Sequence, residues 1–294
     1  MRLLSGSNAS DIVEIRAFSE WVLGISDGSM GENNDLDVTL NVPHDLLIPS
    51  CGDPHSAIVT HTYPDLLHNM TDLSFFKDRA ILAPTNAIVD ALNDYVMDLI
   101  PGEENTYLSC DSACNDGANA GGPGDLHTPE FLNTITASGL LAHKLGLKVG
   151  VPVMLLRNID QNLGLCNGTC LIITRMGTYV LEAKVISGSN INQKVFIPRL
   201  SLAPSDKKIP FNFQRRQFPL ALSFAMTINK SQGQSLTQVG LYLPHSVFSH
   251  GQLYVAMSRV TSRKGLKILL LDEDGDDTDV TTNVVYKEVF QNVR

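Results

Sequence analysis

The sequence predicts an α/β protein in which a parallel sheet flanked by helices is interrupted by a small β-rich module. An apolar run at residues 79–86 ends in a Pro-Thr-Asn turn, and a segment of helical period follows at 88–100. That strand–turn–helix order is typical of α/β units. Between residues 148 and 200, four or five short β-rich runs are separated by Gly- and Asn-containing turns, which favours a small barrel or meander. The α/β texture then returns as a strand, a helix and a final strand, at 239–244, 249–259 and 266–271.

The first element is a predicted helix at residues 10–24, where apolar side chains recur at helical spacing between Ser10 as N-cap and Gly24 as stop. Polar, acidic residues 26–38 predict a loop. The helix at 88–100 is closed by Pro101-Gly102. Residues 113–129, rich in Gly, Asn and Asp, predict a surface loop.

Composition bounds the class of protein. The chain has 294 residues with 43% hydrophobic content, enough for one large domain and a smaller one. No apolar run approaches the length of a membrane span, so no membrane contact is expected. The first residues lack the apolar core of a secretory signal, and an odd count of five cysteines favours free thiols in a reducing compartment. The three-residue spacing within Cys110/Cys114 and Cys166/Cys170 argues weakly for zinc, and we expect no metal site.

Charge is distributed unevenly. The net charge is −9, yet residues 194–271 hold eleven Lys or Arg against the single acid Asp206. Such a cluster is a footprint for phosphate, whether of a nucleic-acid backbone or of a nucleotide. A solvated basic face remains the alternative.

Two motifs carry the chemistry. FAMTINKSQGQSL (residues 224–236) places hydrogen-bonding groups around Lys230 at the end of an apolar strand, a pattern that can grip phosphate. QLYVAMSRV (252–260) ends a helical segment in Arg259, placed like an arginine finger. A polar loop and a helix-terminal arginine are the alternatives for each motif alone. The printed sequence contains no Gly-Lys-Ser or Gly-Lys-Thr, so a phosphate-binding loop is missing. LKILLLDEDG (266–275) mimics a metal-binding strand end, but its acidic run continues and we expect no such role.

Together the motifs resemble the PIF-type (Petite Integration Frequency) helicases of superfamily 1B, with the Helitron-transposon helicases as near relatives. The segment 224–236 resembles their motif V, 254–260 motif VI, 79–86 with its helix motif IV, and 147–169 their inserted 2B module. Residues 1–3 resemble the tail of motif III. Cys170 departs from the family, which usually has arginine there.

The resemblance implies a second RecA-like domain (2A) interrupted by a small β-barrel of the 2B type. The implied parts are a remnant of an interdomain segment, the first part of 2A, the 2B barrel and the rest of 2A, at 1–55, 56–146, 147–210 and 211–294. It further implies that Arg259 contacts the γ-phosphate of ATP as the catalytic finger, and that Gln232 and Gly233 line the nucleotide cleft. The residues implied to hold single-stranded DNA are Thr85, Asn86, Thr227, Asn229, Lys230 and Ser231.

For function, the resemblance implies a portion of an ATP-dependent 5′-to-3′ DNA helicase. It acts as a monomer in the nucleus or mitochondria, in replication, repair, recombination, telomere maintenance or transposition. ATP and Mg²⁺ belong to the complete helicase, and the partner is an N-terminal RecA-like domain expected upstream. Without its Walker motifs, we expect this chain not to hydrolyse ATP. A non-catalytic module that binds nucleic acid or protein is the alternative, and an inert product of a decayed gene copy is a third.

Overall fold

The computed structural model describes residues 9–34, 37–49, 52–113, 128–137, 139–188, 190–204, 209 and 211–286. The predicted motif III tail at residues 1–3 lies outside this part, as do Cys114, Asp206 and part of the basic stretch. Within it, no helix is both long enough and apolar enough to cross a membrane.

The described elements follow one another in α/β and then β-rich order. The α-helices are α1 Ala9–Asp27, α2 Pro54–Thr62, α3 Leu66–Asn69, α4 Leu73–Lys77, α5 Asn86–Leu99, α6 Pro129–Thr134 and α7 Gln252–Met257. The strands are β1 Glu32–Asn34, β2 Asp37–Asn41, β3 Arg79–Ala83, β4 Asn105–Leu108, β5 Cys110–Ala113, β6 Lys144–Leu147, β7 Pro152–Leu155, β8 Cys170–Met176, β9 Val180–Val185, β10 Lys194–Pro198, β11 Leu200–Leu202, β12 Phe213–Gln217, β13 Leu220–Leu222, β14 Ala225–Thr227, β15 Gln238–Leu243, β16 Leu266–Leu270 and β17 Val280–Val284. Short 3₁₀ turns lie at His44–Leu46, Ile228–Ser231 and Arg263–Gly265.

The chain forms two compact units, and the first comprises Met1–Ile100 and Ser223–Arg294. Its centre is a four-stranded sheet in the order β14-β3-β15-β16, and every pairing in it is parallel. All four strands are almost wholly buried, as expected when both faces of a parallel sheet are covered. The predicted α/β class with a parallel sheet is therefore confirmed.

Helices α2 and α5 pack on this sheet and touch each other. The approach of α2 is close, because a Cβ added at Gly240 of β15 would collide with Thr62 and Ile58 of the helix. Helix α1 packs against α7 and confirms the helix predicted at residues 10–24. A small antiparallel sheet, β1-β2-β17, completes the unit.

The second unit, Pro101–Leu222, is the β-rich insertion. Its largest sheet is antiparallel, in the order β10-β9-β8-β7-β13, and smaller sheets join β11-β12-β5 and β4-β6. Alternate side chains of β9 and β10 are buried, which gives this sheet one packed and one exposed face.

The boundaries of the insertion differ from the predicted 147–210. The unit begins at 101 because β5 pairs with β12 and β4 with β6, so residues assigned by sequence to the first part of 2A fold with the insertion. It ends at 222 because β13 pairs with β7. Pairing between strands far apart in sequence is invisible to local periodicity, which explains the difference.

Candidate nucleic-acid and nucleotide interface

The carboxyl ends of β3 and β14 bring the predicted motif IV and motif V residues to one edge of the sheet. The two strands pair in parallel, with Thr227 opposite Ala83, so the segments that follow them leave the sheet at the same edge. Thr85 and Asn86 follow β3 and are exposed; Thr85 caps α5 by accepting the Ile88 N–H. This is the edge where open α/β sheets bind their ligands.

The 3₁₀ turn after β14 is held by two hydroxyls. The Thr227 side chain accepts the Lys230 N–H at 3.3 Å, and the Ser231 hydroxyl donates to the Ile228 carbonyl at 2.6 Å. Asn229 and Lys230 are left exposed at the tip. Ser231 was predicted to hold single-stranded DNA, and the structure corrects this prediction. The residue is 0% exposed, and its side chain supports the turn from inside. Thr227 is also buried, so its hydroxyl serves the turn.

Gln232 and Gly233 follow the turn on the surface. Both are exposed, and Gly233 has φ +85°, a left-handed conformation that favours glycine. No atom lies within 4 Å of where its Cβ would stand, so the backbone here is open to a ligand.

Motif VI is joined to motif V through the backbone. The Leu236 N–H donates to the Arg259 carbonyl at 2.9 Å, and the Thr261 N–H donates to the Leu236 carbonyl at 3.0 Å. Leu236 and Val260 thus form a parallel bridge. Helix α7 is shorter than the predicted helix 249–259, and Arg259 lies just beyond its C-cap, Ser258.

The Arg259 guanidinium is oriented by its own neighbourhood. Nε donates to the Val255 carbonyl at 2.9 Å, Nη2 to the Ser258 hydroxyl at 2.8 Å and Nη1 to the Gln234 carbonyl at 3.3 Å. Partial burial lowers its pKa. Among the described residues no carboxylate forms an ion pair with it. A half-buried cation that lacks a counter-charge is a suitable partner for an anionic ligand.

Two residues that position this edge were missed from sequence. Asn93 is 5% exposed on α5, and its amide both accepts the Ala225 N–H at 2.9 Å and donates to the Ala225 carbonyl at 3.1 Å. It therefore replaces a neighbouring strand along the outer edge of β14. Gln252 is buried at the start of α7 and donates to the Pro84 carbonyl at 3.5 Å, which joins motif VI to the end of β3. A polar residue on the apolar side of the helix at 88–100 was the signal available for Asn93.

Lys230 acts electrostatically on α5. Partial burial raises the pKa of Asp90, and the positive charge of Lys230 acts in the opposite direction. The Asp90 carboxyl, together with that of Asp94, is thus near the cation that sequence assigns to the DNA backbone.

The acidic segment after β16 forms a closed turn. The Asp272 carboxylate accepts the backbone N–H groups of Asp274 and Asp276 at 3.0 and 2.9 Å. Within the described part of the chain, no group of three or more His, Cys, Asp or Glu could hold a metal ion. Asp272 therefore caps its own turn in this structure.

Parts of this chain are similar to known helicases. Residues 130–176 match the family model described as "DNA helicase Pif1, 2B domain". The human ATP-dependent DNA helicase PIF1 is 32% identical over 160 residues, which cover 51% of this chain and 24% of that protein. The PIF1 helicase of Danio rerio is 29% identical over 203 residues, covering 68% of this chain and 29% of that protein.

Among solved structures, the crystal structure of the Pif1 helicase from Candida albicans covers 94% of this chain and 56% of its own. The TM-score is 0.60 at 22% identity, which shows a shared fold. This chain spans about a quarter of the length of the curated relatives. The chain is thus similar to one part of the PIF1 helicases, and residues 130–176 match the model of their 2B domain.

Proposed function

We propose that this chain carries the second RecA-like domain and the 2B module of an ATP-dependent 5′-to-3′ DNA helicase that moves along single-stranded DNA. The first compact unit takes the role of 2A and Pro101–Leu222 the role of 2B. The relatives are ATP-dependent DNA helicases, which supports the class of activity.

The observation that carries the proposal is the pair of backbone hydrogen bonds that joins Leu236 to Arg259 and to Thr261. It fixes the arginine finger to the same segment that ends β14 and presents Lys230. A displacement of Arg259 toward or away from a phosphate is therefore passed to the turn that holds the DNA strand. This is how nucleotide state and DNA contact would be coupled.

The residues present fit a nucleotide triphosphate on one side only. Arg259, a half-buried cation without a carboxylate partner among the described residues, would stabilise the γ-phosphate. The exposed Gln232 and the open Gly233 backbone would lie along the cleft. ATP with Mg²⁺, when bound, would supply the phosphoanhydride bond whose hydrolysis drives the cycle. The other side needs a second RecA-like domain with a phosphate-binding loop, and a 294-residue chain without Gly-Lys-Ser or Gly-Lys-Thr should show no turnover alone.

DNA would be held at the carboxyl edge of the parallel sheet. Thr85 and Asn86 offer a hydroxyl and an amide to backbone phosphates, while Asn229 and Lys230 approach from the neighbouring turn. Contacts of this kind fix position without reading sequence. In a cell, the complete protein would act in the nucleus or mitochondria on DNA replication, repair, recombination or Helitron transposition, as one copy per strand.

The DNA contact is tested by titrating the chain into a fluorescent oligothymidine at several salt concentrations. Lys230→Gln should weaken binding and lower the salt slope by about 0.7, the value for one phosphate contact on a single strand. Lys264→Gln is the matched control, because this exposed lysine precedes β16 at the opposite edge of the parallel sheet. Equal effects of the two substitutions would contradict the assignment of Lys230.

The nucleotide contact is tested by fusing the chain behind a RecA-like domain that bears a Gly-Lys-Thr loop. We expect DNA-stimulated ATP hydrolysis by the fusion and none by the chain alone. Arg259→Ala should reduce the rate of the fusion about 10³-fold or more. DNA binding by the chain with no ATPase activity of any such fusion would favour the non-catalytic module.

A further inference from the structure

The exposed face of the larger sheet of the second unit carries an aromatic side chain in open solvent. Phe196 is 60% exposed in the middle of β10. The neighbours of Phe196 along the strand, Val195 and Ile197, point the other way and are buried. Single exposed apolar residues are common on protein surfaces, so the surroundings of Phe196 decide what it signifies.

Those surroundings are set by the strand register. Glu182 of β9 lies opposite Phe196, and Arg175 of β8 lies opposite Glu182 on its other side. Two residue pairs further along, and so on the same face, Lys184 lies opposite Lys194. Directly opposite residues share a face of the sheet. The ring therefore lies in a field of three cations.

The same face is concave beside the ring. A shallow depression of about 230 Å³ is lined by Arg175, Val180 and Phe196, among others. The Lys194 ammonium lies 5.8 Å from the centroid of the Phe196 ring. The face thus combines a flat π surface, a recess beside it and nearby positive charge.

The charges on this face do not cancel. Hydrogen bonds from Lys194 and Thr174 lower the pKa of Glu182, and Lys194 lies 2.8 Å from its carboxylate. Arg175 and Lys184 are exposed and make no ion pair with any residue the structure describes. Arg175 and Lys184 can therefore contact a ligand, and two neighbouring positive charges favour a ligand with several negative charges.

We propose that this face, defined by Arg175, Lys184, Lys194 and Phe196, binds single-stranded nucleic acid by stacking a base on Phe196 while the cations contact the flanking phosphates. An aromatic ring set among Lys and Arg on an open sheet suits unpaired bases, because each base has a π face and duplex stacking hides it. Phe196 belongs to the inserted unit and Lys230 to the first unit, so substitutions at the two sites test this proposal and the proposed helicase function separately.

The first test places a reporter at the site. Phe196→Trp adds a second tryptophan to a chain whose only other one is Trp21. We expect oligothymidine to quench the fluorescence of the variant and leave the emission of the parent chain unchanged. Unchanged emission of the variant at saturating oligonucleotide would overturn the proposal.

The second test separates stacking from apolar contact. Phe196→Leu keeps an apolar side chain without a ring, and we expect about a tenfold loss of affinity for oligothymidine, within the range for one stacked base. Phe196→Tyr should retain the affinity. If the Leu variant binds oligothymidine as well as the parent, no base stacks on Phe196 and the proposal is wrong.

The third test concerns the cations. Lys184→Gln should lower the salt slope of binding. Lys144→Gln should not, because this exposed lysine lies on β6, in the two-stranded sheet β4-β6 of the same unit. A loss on Lys230→Gln with no loss on the Phe196 and Lys184 substitutions would support the helicase edge alone and reject this site. The reverse pattern would support this site and reject the Lys230 contact.

Discussion

A buried ion pair holds together the second unit, and its removal is the most demanding test of this structure. Arg215 of β12 and Asp111 of β5 are 1% and 0% exposed at their side chains, and their closest atoms are 2.7 Å apart. The guanidinium also donates to three backbone carbonyls of the segment that leads into the 2B sheet, those of Leu132, Ile135 and Leu141. We consider Arg215→Met, which keeps the unbranched apolar stem of the side chain and removes every donor.

The expected loss of stability follows from the buried polar groups that lose their donor when Arg215 is replaced. Asp111 would remain buried, with the Ser109 hydroxyl as its remaining side-chain donor, and removing one partner of a buried pair costs about 3–5 kcal/mol. The three carbonyls would lose their donor as well, and an unsatisfied buried polar group costs about 1–3 kcal/mol. Because the segment can relax around Met, we expect a total near 4 kcal/mol.

Hydrogen exchange of β5 and β12 peptides reads this loss locally, without assuming that the two units unfold together. A loss of about 4 kcal/mol accelerates exchange by nearly three orders of magnitude. Arg216→Met is the control, because Arg216 is the next residue of the same strand but is exposed, and such changes cost about 0.5 kcal/mol or less. The double change Asp111→Leu/Arg215→Met should recover much of the loss. If Arg215→Met exchanged within tenfold of Arg216→Met, the pair would not hold this unit together.

Three further predictions concern the first unit. Asn93→Ala should destabilise it by about 2–3 kcal/mol by leaving the edge of β14 unpaired, and the Ala225 amide should lose its exchange protection. Asp90→Asn should tighten oligothymidine binding by removing a negative charge near Lys230. The pKa of Asp90 is raised in the folded protein, so the charged carboxylate destabilises the fold once the pH exceeds the unfolded pKa near 3.8. Asp90→Asn should therefore raise the free energy of unfolding at pH 7 and leave it unchanged at pH 3. Urea titration at the two pH values measures this difference. Arg259→Lys in an ATP-hydrolysing fusion should fall close to Arg259→Ala, because lysine cannot reproduce the three-way anchoring of the guanidinium; activity near that of the parent would refute this.

The local elements were predictable because their signals are local. The strand at Arg79–Ala83, the helix after it and the strand at Leu266–Leu270 each follow from an apolar pattern and its punctuation. The positions of Lys230 and Arg259 could also be predicted from sequence, because Lys230 follows a predictable strand and Arg259 a predictable helix.

The domain boundary could not be predicted in the same way. It depends on Arg215 contacting Asp111, 104 residues earlier, and no pattern in either segment announces a partner at that distance. Ser231 failed for a related reason. A serine hydroxyl can bind phosphate, but the 3₁₀ turn directs this one inward to the Ile228 carbonyl. Only the backbone conformation decides whether the hydroxyl faces a ligand or the turn.

Asn93 gives the sheet edge a property that the motif residues alone do not have. β14 is an edge strand of only three residues, and a strand that short is weakly held by one neighbour. By bonding both polar groups of Ala225, Asn93 fixes β14 to helix α5, and the same helix begins at Asn86 of motif IV. The candidate DNA contacts of motifs IV and V are therefore carried by one mechanically continuous piece. If they move when a nucleotide is bound at Arg259, they must move together, and a variant that frees β14 from Asn93 should weaken that coupling more than it weakens DNA binding itself.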